Sequence, residues 1–161
     1  MPSGRGEEET SIASRGIFLP LAAFVVLVDQ LTKALAQFFL SPGISHPVLP
    51  PIFHLTLVEN RGIAFGFFQG GDKILFVVIT VSILVLAVIG FRTSPERVRN
   101  HLGIGLILGG ALGNWVDRIR IGAVVDFLGF WIWPVFNLAD TAITVGVGIF
   151  LLRFLFLRHA S

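Results

Sequence analysis

Two aspartates in apolar surroundings are the residues of this sequence best suited to acid–base chemistry. Asp126 lies in GAVVDFLGF and Asp140 lies in FNLADTAITVG, and neither has an adjacent cation. The short apolar segment between them allows the two side chains to meet. Two carboxyl groups in close contact cannot easily both ionise, so one stays protonated while the other carries the charge. The sequence therefore predicts a general acid and a general base in one site, with Asp126 and Asp140 as the catalytic pair.

No other nucleophile in the sequence competes with these carboxyl groups. The chain has no cysteine, which excludes a thiolate nucleophile and a cysteine-based metal site. Its serines lie in tails, in loops or, in the case of Ser82, in the middle of an apolar segment. The histidines lack the spacing of metal ligands; they are His46, His54, His101 and His159. We therefore expect an aspartate to activate water against a peptide carbonyl.

A second set of polar residues lies inside long apolar segments, where charged groups usually face a protein interior or a water-filled cavity. Asp29 and Lys33 are spaced i, i+4 with the acid first, which favours a helical ion pair. Asn114 and Asp117 are spaced i, i+3, with Arg118 beside them. For each aspartate a structural ion pair or helix cap is an alternative to catalysis. That alternative fits Asp29 with Lys33, and Asp117 with Arg118, better than it fits the catalytic pair.

The depths of these polar groups can be estimated from the rise of a helix, about 1.5 Å per residue. Asp29 lies roughly 18 Å from the inner end of its segment, and Asn114 lies at roughly the same depth in another segment. Asn137 and Asp140, again spaced i, i+3, fall in the first turns of the last apolar segment, close to its outer end. Three segments thus place polar groups at one level, in the outer third of a membrane.

The composition indicates an integral membrane protein. Hydrophobic residues make up 54% of the chain and charged residues only 14%, and the apolar residues cluster in long runs. We predict an all-α membrane protein with four transmembrane helices, at about 16–40, 74–91, 102–118 and 135–157. Residues 16–158 then form a single membrane domain. The polar residues 1–15 are expected to be a disordered cytoplasmic tail.

Basic residues predict the orientation of the spans. Arg92, Arg97 and Arg99 lie in one short connection, and Arg158 follows the last span. Because positive charges favour the cytoplasmic side, both termini are expected inside. The site would then lie near the outer face of a bacterial cytoplasmic membrane.

The outer connection between the first two spans carries its own structural pattern. The segment IFHLTLV at 52–58 is rich in β-forming residues and is followed by a glycine-rich stretch up to residue 69. This pattern predicts a small extracytoplasmic β-cradle between helices 1 and 2, lying on the outer leaflet. Trp131 and Trp133 in the second outer connection suit the aromatic belt of a membrane interface.

Two local patterns have a structural interpretation. The apolar run 17–28 resembles a secretory signal, but Asp29 and Lys33 interrupt it and apolar residues continue to Leu40, so we interpret it as a membrane helix.

Small residues recur every four positions in the third span, a stripe that allows close helix packing. They are Gly105, Gly109 and Gly113.

Five motifs in order resemble the bacterial lipoprotein signal peptidases, also called signal peptidase II. They are DQLTK at 29–33, ENRGIAFGFF at 59–68, GGALGNWVDR at 109–118, GAVVDF at 122–127 and FNLADTAITVG at 136–146. The resemblance covers nearly all of residues 17–155. Arg61, where the family more often has a small or hydroxyl residue, and the acidic tail depart from the family pattern.

The resemblance implies an aspartic endopeptidase that needs no metal or other cofactor. Its substrates would be prolipoproteins, cut on the amino side of a diacylglyceryl-modified cysteine. Asp126 and Asp140 would be the catalytic aspartates. Supporting or substrate-binding roles would fall to Asp29, Lys33, Asn60, Asn114, Asp117, Arg118 and Asn137. Membrane lipids are the other expected partners; we expect no nucleic acid and a monomeric chain.

Two other functions use the same kind of buried polar residue. A small proton- or cation-coupled transporter also places Asp and Asn inside a membrane. Carriers often show repeated halves with broken helices in corresponding positions, and this sequence has no such repeat. A membrane scaffold, in which the polar groups only hold helices together, is the third possibility.

Overall fold

The structure is a computed structural model that describes residues 18–61, 71–94 and 98–157. These residues form four helices, α1 (Phe18–Phe39), α2 (Gly71–Arg92), α3 (Val98–Ile121) and α4 (Leu138–Leu157). They also form four strands, β1 (Ser45–Leu49), β2 (Phe53–Asn60), β3 (Val124–Phe130) and β4 (Trp133–Phe136). The mostly helical class with a small sheet is confirmed. The proposed tail, most of the glycine-rich stretch, Arg97, Arg158 and His159 lie outside the described residues.

Helix α1 is charged on its inside and apolar on its outside. Asp29 and Lys33 are 0% and 2% exposed, whereas Phe24 and Leu27 are 62% and 66% exposed. This arrangement is costly in water but favourable in hydrocarbon, where charged groups turn towards the protein interior. By length and composition, α1 is the one helix of the described ranges that meets the full criterion for crossing a membrane. Shorter apolar stretches occur at Phe76–Arg92 and Leu138–Leu152.

Helix α3 packs between the other helices through its glycines. A Cβ atom on Gly109 would lie 2.8 Å from the carbonyl oxygen of Ala22 in α1. On another face, Gly110 lies directly against the Ala139 backbone of α4. The small-residue stripe therefore serves helix packing, as its spacing predicts. Close approach of three backbones brings the polar side chains of three helices within hydrogen-bonding distance.

The four strands form one antiparallel sheet in the order β1-β2-β3-β4. The prediction placed the cradle between helices 1 and 2 only, but β3 and β4 come from the connection between α3 and α4. Pairing of β2 with β3 joins the two connections and sets Val58 opposite Asp126 and Asn60 opposite Val124. The sheet packs on the end of α1 through the apolar cluster of Ala36, Leu57, Val125 and Phe127. The position of Asp126 thus depends on residues far away in sequence.

The ends of α3 and α4 differ from the predicted spans for identifiable reasons. Helix α3 continues to Ile121 and ends at Gly122, which has a φ of 71° and donates its N–H to the Arg118 carbonyl at 3.1 Å. Glycine adopts this left-handed conformation easily and so terminates helices. Helix α4 begins at Leu138 rather than near 135, because residues up to Phe136 belong to β4.

Candidate active site

Asp126 occupies the buried middle of β3, where two amide groups reach its carboxyl. Asn60 Nδ2 lies 3.0 Å from Asp126 Oδ2, and Asn137 Nδ2 lies 2.6 Å from Asp126 Oδ1. Burial raises the pKa of Asp126 from 3.8 to about 6, and the charge of Asp140 adds to this rise. The two amide donors and the charge of Lys33 act in the opposite direction on this pKa. The raised pKa therefore extends the pH range over which Asp126 can hold a proton.

Asp140 lies in the first turn of α4 and forms a reciprocal cap with Asn137. The Asp140 N–H donates to Asn137 Oδ1 at 2.9 Å, and the Asn137 N–H donates to Asp140 Oδ2 at 3.3 Å. This is the arrangement of a capping box, in which two otherwise free N–H groups are satisfied. A helix N-terminus also stabilises negative charge. The i, i+3 spacing of Asn137 and Asp140 therefore has a second explanation, helix capping.

Two amide side chains connect the carboxyl groups of Asp126 and Asp140. Asn114 Nδ2 donates to Asp140 Oδ1 at 2.8 Å, while Asn137 Nδ2 donates to Asn114 Oδ1 at 3.1 Å. Asn137 also reaches Asp126, so the path runs from one acid through two amides to the other. The structure thus brings the two acids, Asn114 and Asn137 into one hydrogen-bonded group, to which Asn60 and Lys33 also donate.

Lys33 lies at the centre of the polar interior and contacts three side chains. Its Nζ lies 2.8 Å from Asp29 Oδ2, 2.7 Å from Asp117 Oδ2 and 2.9 Å from Asn114 Oδ1. An ammonium group has only donors, so it fixes which end of the Asn114 amide is the oxygen. The donor end of Asn114 is thereby directed to Asp140.

Asp117 pairs with Lys33 rather than with Arg118, which corrects the structural interpretation of the sequence. Neighbouring residues on a helix point in different directions, so the adjacent pair does not face each other. Arg118 instead donates to the carbonyl oxygen of Asn114 at 3.2 Å. Its half-buried guanidinium lies within electrostatic range of Asp140, Asp117 and Asp126. A cation so placed can orient an anionic or carbonyl group near the acids.

Asp29 joins α1 to the start of α4. Its Oδ1 accepts a hydrogen bond of 2.9 Å from the Ala139 N–H, one of the free donors of the first helical turn. A Cβ atom on Gly113 would lie 2.5 Å from Asp29 Oδ2, so only glycine leaves room for this carboxylate. The predicted Asp29–Lys33 pair is present and is part of a larger network.

Sequence reasoning missed Gln30, which also belongs to this network. Gln30 Nε2 lies 2.9 Å from Asp117 Oδ1, and Gln30 Oε1 accepts a 3.0 Å hydrogen bond from Arg120 Nη1. A polar residue next to Asp29 in an apolar helix was the signal that could have revealed it.

An apolar groove of about 360 Å³ opens beside Asp140. It is lined by Phe130, Trp133, Phe136, Asp140, Thr141, Thr144 and Val145. The hydroxyls of Thr141 and Thr144 donate to carbonyl oxygens one turn earlier, at 3.0 and 2.8 Å. Their polar atoms are thus satisfied within α4. Among the described residues that line this groove, Asp140 is the one ionisable residue.

Comparison with known proteins identifies the family. The family model described as signal peptidase (SPase) II matches residues 21–156. The chain belongs to the signal peptidase II family. A lipoprotein signal peptidase of Pelotomaculum thermopropionicum is 51% identical over 142 residues, covering 88% of this chain and 91% of the relative. One from Halothermothrix orenii is 45% identical over 128 residues, covering 80% of this chain and 88% of the relative.

A solved structure has a similar fold. A bacterial membrane enzyme determined by the in meso method superposes with a TM-score of 0.81 at 30% identity, covering 87% of this chain and 93% of the other. The resemblance expected from the five motifs is thereby confirmed, and so is an aspartic-type peptidase. The comparisons give no support to the transporter alternative.

Proposed function

We propose that this peptidase removes signal peptides from lipid-modified prolipoproteins, with Asp126 and Asp140 as its catalytic pair. The observation that carries the proposal is the path of hydrogen bonds from Asp126 through Asn137 and Asn114 to Asp140. It links the carboxyl of Asp126, whose pKa is raised by burial, to a carboxyl that lies at the N-terminus of α4. Such a difference in environment separates the roles of acid and base.

The reaction follows from these two environments. Charged Asp140 takes a proton from water, and the water oxygen bonds to the carbon of the scissile carbonyl. Asp126 gives its proton to the carbonyl oxygen, producing a neutral tetrahedral intermediate. The C–N bond then breaks: Asp140 returns its proton to the leaving nitrogen, and Asp126 takes one from a hydroxyl of the intermediate. A carboxylic acid and an amine leave, and both aspartates regain their first state.

The remaining polar residues hold this pair in place. Asn60, Asn114 and Asn137 donate to the two carboxyl groups. Behind them, the ion pairs of Lys33 with Asp29 and Asp117 join α1 to α3, and the Ala139 N–H on Asp29 joins α1 to α4. In this proposal Arg118 orients the substrate, since its guanidinium lies within electrostatic range of both acids. Fixed geometry of this kind lowers the entropic part of the barrier.

The groove beside Asp140 is the feature that favours a lipid-modified substrate. Three aromatic residues and a valine line it, the hydroxyls of its two threonines are bonded to backbone carbonyls, and it lies between α4 and the β3–β4 hairpin. A diacylglyceryl chain placed there would bring the modified cysteine to the acids. Cleavage on the amino side of that cysteine is the specificity we propose.

Membrane placement forms part of the proposal. We place α1, α2, α3 and α4 across a bacterial cytoplasmic membrane in a single domain, with both termini inside and the sheet at the outer face. The turns of the two hairpins lie together, since the Trp131 N–H donates to the Ile52 carbonyl at 2.7 Å. Trp131, Ile132 and Trp133 are exposed by 68%, 83% and 68%. Exposed tryptophans suit a membrane interface, where these turns would rest.

Mass spectrometry of a cleaved precursor peptide tests the proposed function. The purified protein in detergent is given a synthetic precursor segment with a diacylglyceryl cysteine, and the same segment without lipid serves as the control. We expect two products whose masses place the cut immediately before the modified cysteine, and little cleavage of the control. Absence of cleavage, or equal cleavage of both peptides, would contradict the proposal.

A further inference from the structure

Gln30, a half-buried residue of α1, has both ends of its side-chain amide fixed. Its Nε2 lies 2.9 Å from Asp117 Oδ1, 3.2 Å from the Gly113 carbonyl oxygen and 3.3 Å from Asp29 Oδ2. Its Oε1 accepts a 3.0 Å hydrogen bond from Arg120 Nη1 at the exposed end of α3. A guanidinium offers only donors and an ionised carboxylate only acceptors, so one orientation of the amide satisfies both sides.

Gln30 in turn fixes the orientation of the Asp117 carboxylate. Because Gln30 occupies Oδ1, the other oxygen faces Lys33 at 2.7 Å and the Val125 N–H at 3.2 Å. Each of these two contacts leads to one acid of the proposed pair. Lys33 orients the Asn114 amide, and Val125 is the residue before Asp126 on β3.

We infer that Gln30 is a positioning residue for the active site, which holds Asp117 so that both aspartates keep their relative placement. The inference rests on the proposed function. Gln30 lies outside the lining of the groove beside Asp140 and contacts neither Asp126 nor Asp140 in the described part of the chain. Its loss should therefore change the rate of the bound complex more than substrate affinity.

Replacement by leucine removes both the donors and the acceptor at similar size. Asp117 Oδ1 then loses its partner in a poorly solvated place and can turn towards Lys33. We expect Gln30→Leu to lower kcat roughly tenfold, with KM changed less than about twofold. Gln37→Leu is the matched control, because Gln37 is an exposed glutamine on the same helix.

Replacement by glutamate gives a readout that simple destabilisation would not give. A protonated Glu at this position has an O–H that can donate to Asp117 and a carbonyl oxygen that can accept from Arg120, so it imitates glutamine. The ionised form has no donor and adds negative charge between two carboxylates. The ratio of Gln30→Glu to wild-type kcat should therefore rise as the pH falls, whereas the Gln30→Leu ratio should stay flat.

The charged groups around position 30 determine how a glutamate there would ionise. On α1 they are Asp29 and Lys33, and on α3 they are Asp117 and Arg120. Strand β3 contacts this group through the Val125 N–H, which donates to Asp117. Helix α4 is linked to it through Asn114, which accepts from Lys33 and donates to Asp140. The two carboxylates in contact with this position favour the protonated form of a new Glu and Arg120 favours its ionised form, so we expect both forms within the pH range of the assay.

Steady-state cleavage of the lipidated precursor peptide, measured across a series of pH values, decides the matter. Wild-type kcat in Gln30→Leu, or a Gln30→Glu ratio that does not change with pH, would overturn the inference. If Gln30→Leu does not fold, the pH series of Gln30→Glu still decides it. Failure of the proposed function is distinguishable, because then the wild type and Gln37→Leu would not cleave the peptide either.

Discussion

Asn137 and Asp140 hold each other at the start of α4 through two hydrogen bonds, one of 2.9 Å and one of 3.3 Å. The same Asn137 side chain donates to Asp126 at 2.6 Å. One amide thus begins a helix and also joins the two acids. Local folding of α4 and assembly of the proposed site therefore depend on the same residue.

Substitutions of Asn137 should separate its two roles. Serine can still cap the helix, but it lacks the amide donors that reach Asp126 and Asn114. We expect the free energy of unfolding of Asn137→Ser to exceed that of Asn137→Ala by about 1 kcal/mol, because alanine also removes the cap. Both variants should lose at least roughly tenfold in kcat. Melting curves and cleavage rates measured on the same preparations test this, and wild-type kcat in Asn137→Ser would contradict it.

Lys33→Leu should lower both stability and activity. It leaves Asp29 and Asp117 without their buried cation. Removal of one partner of a buried ion pair lowers the free energy of unfolding by about 3 to 5 kcal/mol. Asn114 also loses the contact that fixes its amide. Thermal unfolding in detergent is the measurement, with Lys33→Leu combined with Asp117→Asn as the control that restores part of the charge balance. A normal melting temperature with lost activity would instead indicate direct contact with the substrate.

Gly113→Ala should destabilise the fold by crowding Asp29. The added methyl would lie 2.5 Å from Asp29 Oδ2, and overpacking of this kind costs about 1 to 3 kcal/mol. Gly148→Ala is the control, since its methyl would meet no atom within 4 Å in the part of the chain that the structure describes. That control should be neutral or slightly stabilising, because alanine favours helix. Equal melting temperatures for the two variants would contradict the packing described for α1 and α3.

Part of this site could be predicted from sequence because it depends on local spacing. The acid-first pair of Asp29 and Lys33 and the i, i+3 pair of Asn137 and Asp140 are both present as neighbours on one helix. The contact of Lys33 with Asp117 could not be predicted, because it requires α1 and α3 to pack at one rotation. No local rule specifies that rotation.

The pairing of the strands in the sheet could not be predicted from local sequence either. The β-forming pattern of β2 and β3 was visible, but their pairing joins segments far apart in the chain. Register determines that Asp126 faces Val58 and lies beside Asn60. Since pairing is set by long-range packing on Ala36 and Leu57, the sequence could not place the strands of the second connection in the predicted cradle.

The raised pKa of Asp126 predicts how stability changes with pH. A carboxyl whose pKa rises on folding from 3.8 to about 6 binds its proton more tightly in the folded state. Its contribution to the free energy of unfolding, about 3 kcal/mol, is fully present below pH 3.8 and is lost as the pH rises through about 6. Denaturant unfolding of the wild type and of Asp126→Asn, compared from pH 4 to 8, measures it. We expect the variant to lack this slope, and identical pH dependence of the two would contradict the assignment.

Cleavage of a lipidated precursor by three carboxylate variants tests the central claim most directly. Asp126→Asn and Asp140→Asn each preserve shape and remove one acid, while Glu59→Gln removes an exposed acid that neighbours Asn60 in sequence. We predict that the two aspartate variants fold and bind the peptide but do not cleave it, and that Glu59→Gln cleaves at the wild-type rate. Cleavage by either folded aspartate variant at a rate near that of the wild type would contradict the two-aspartate mechanism.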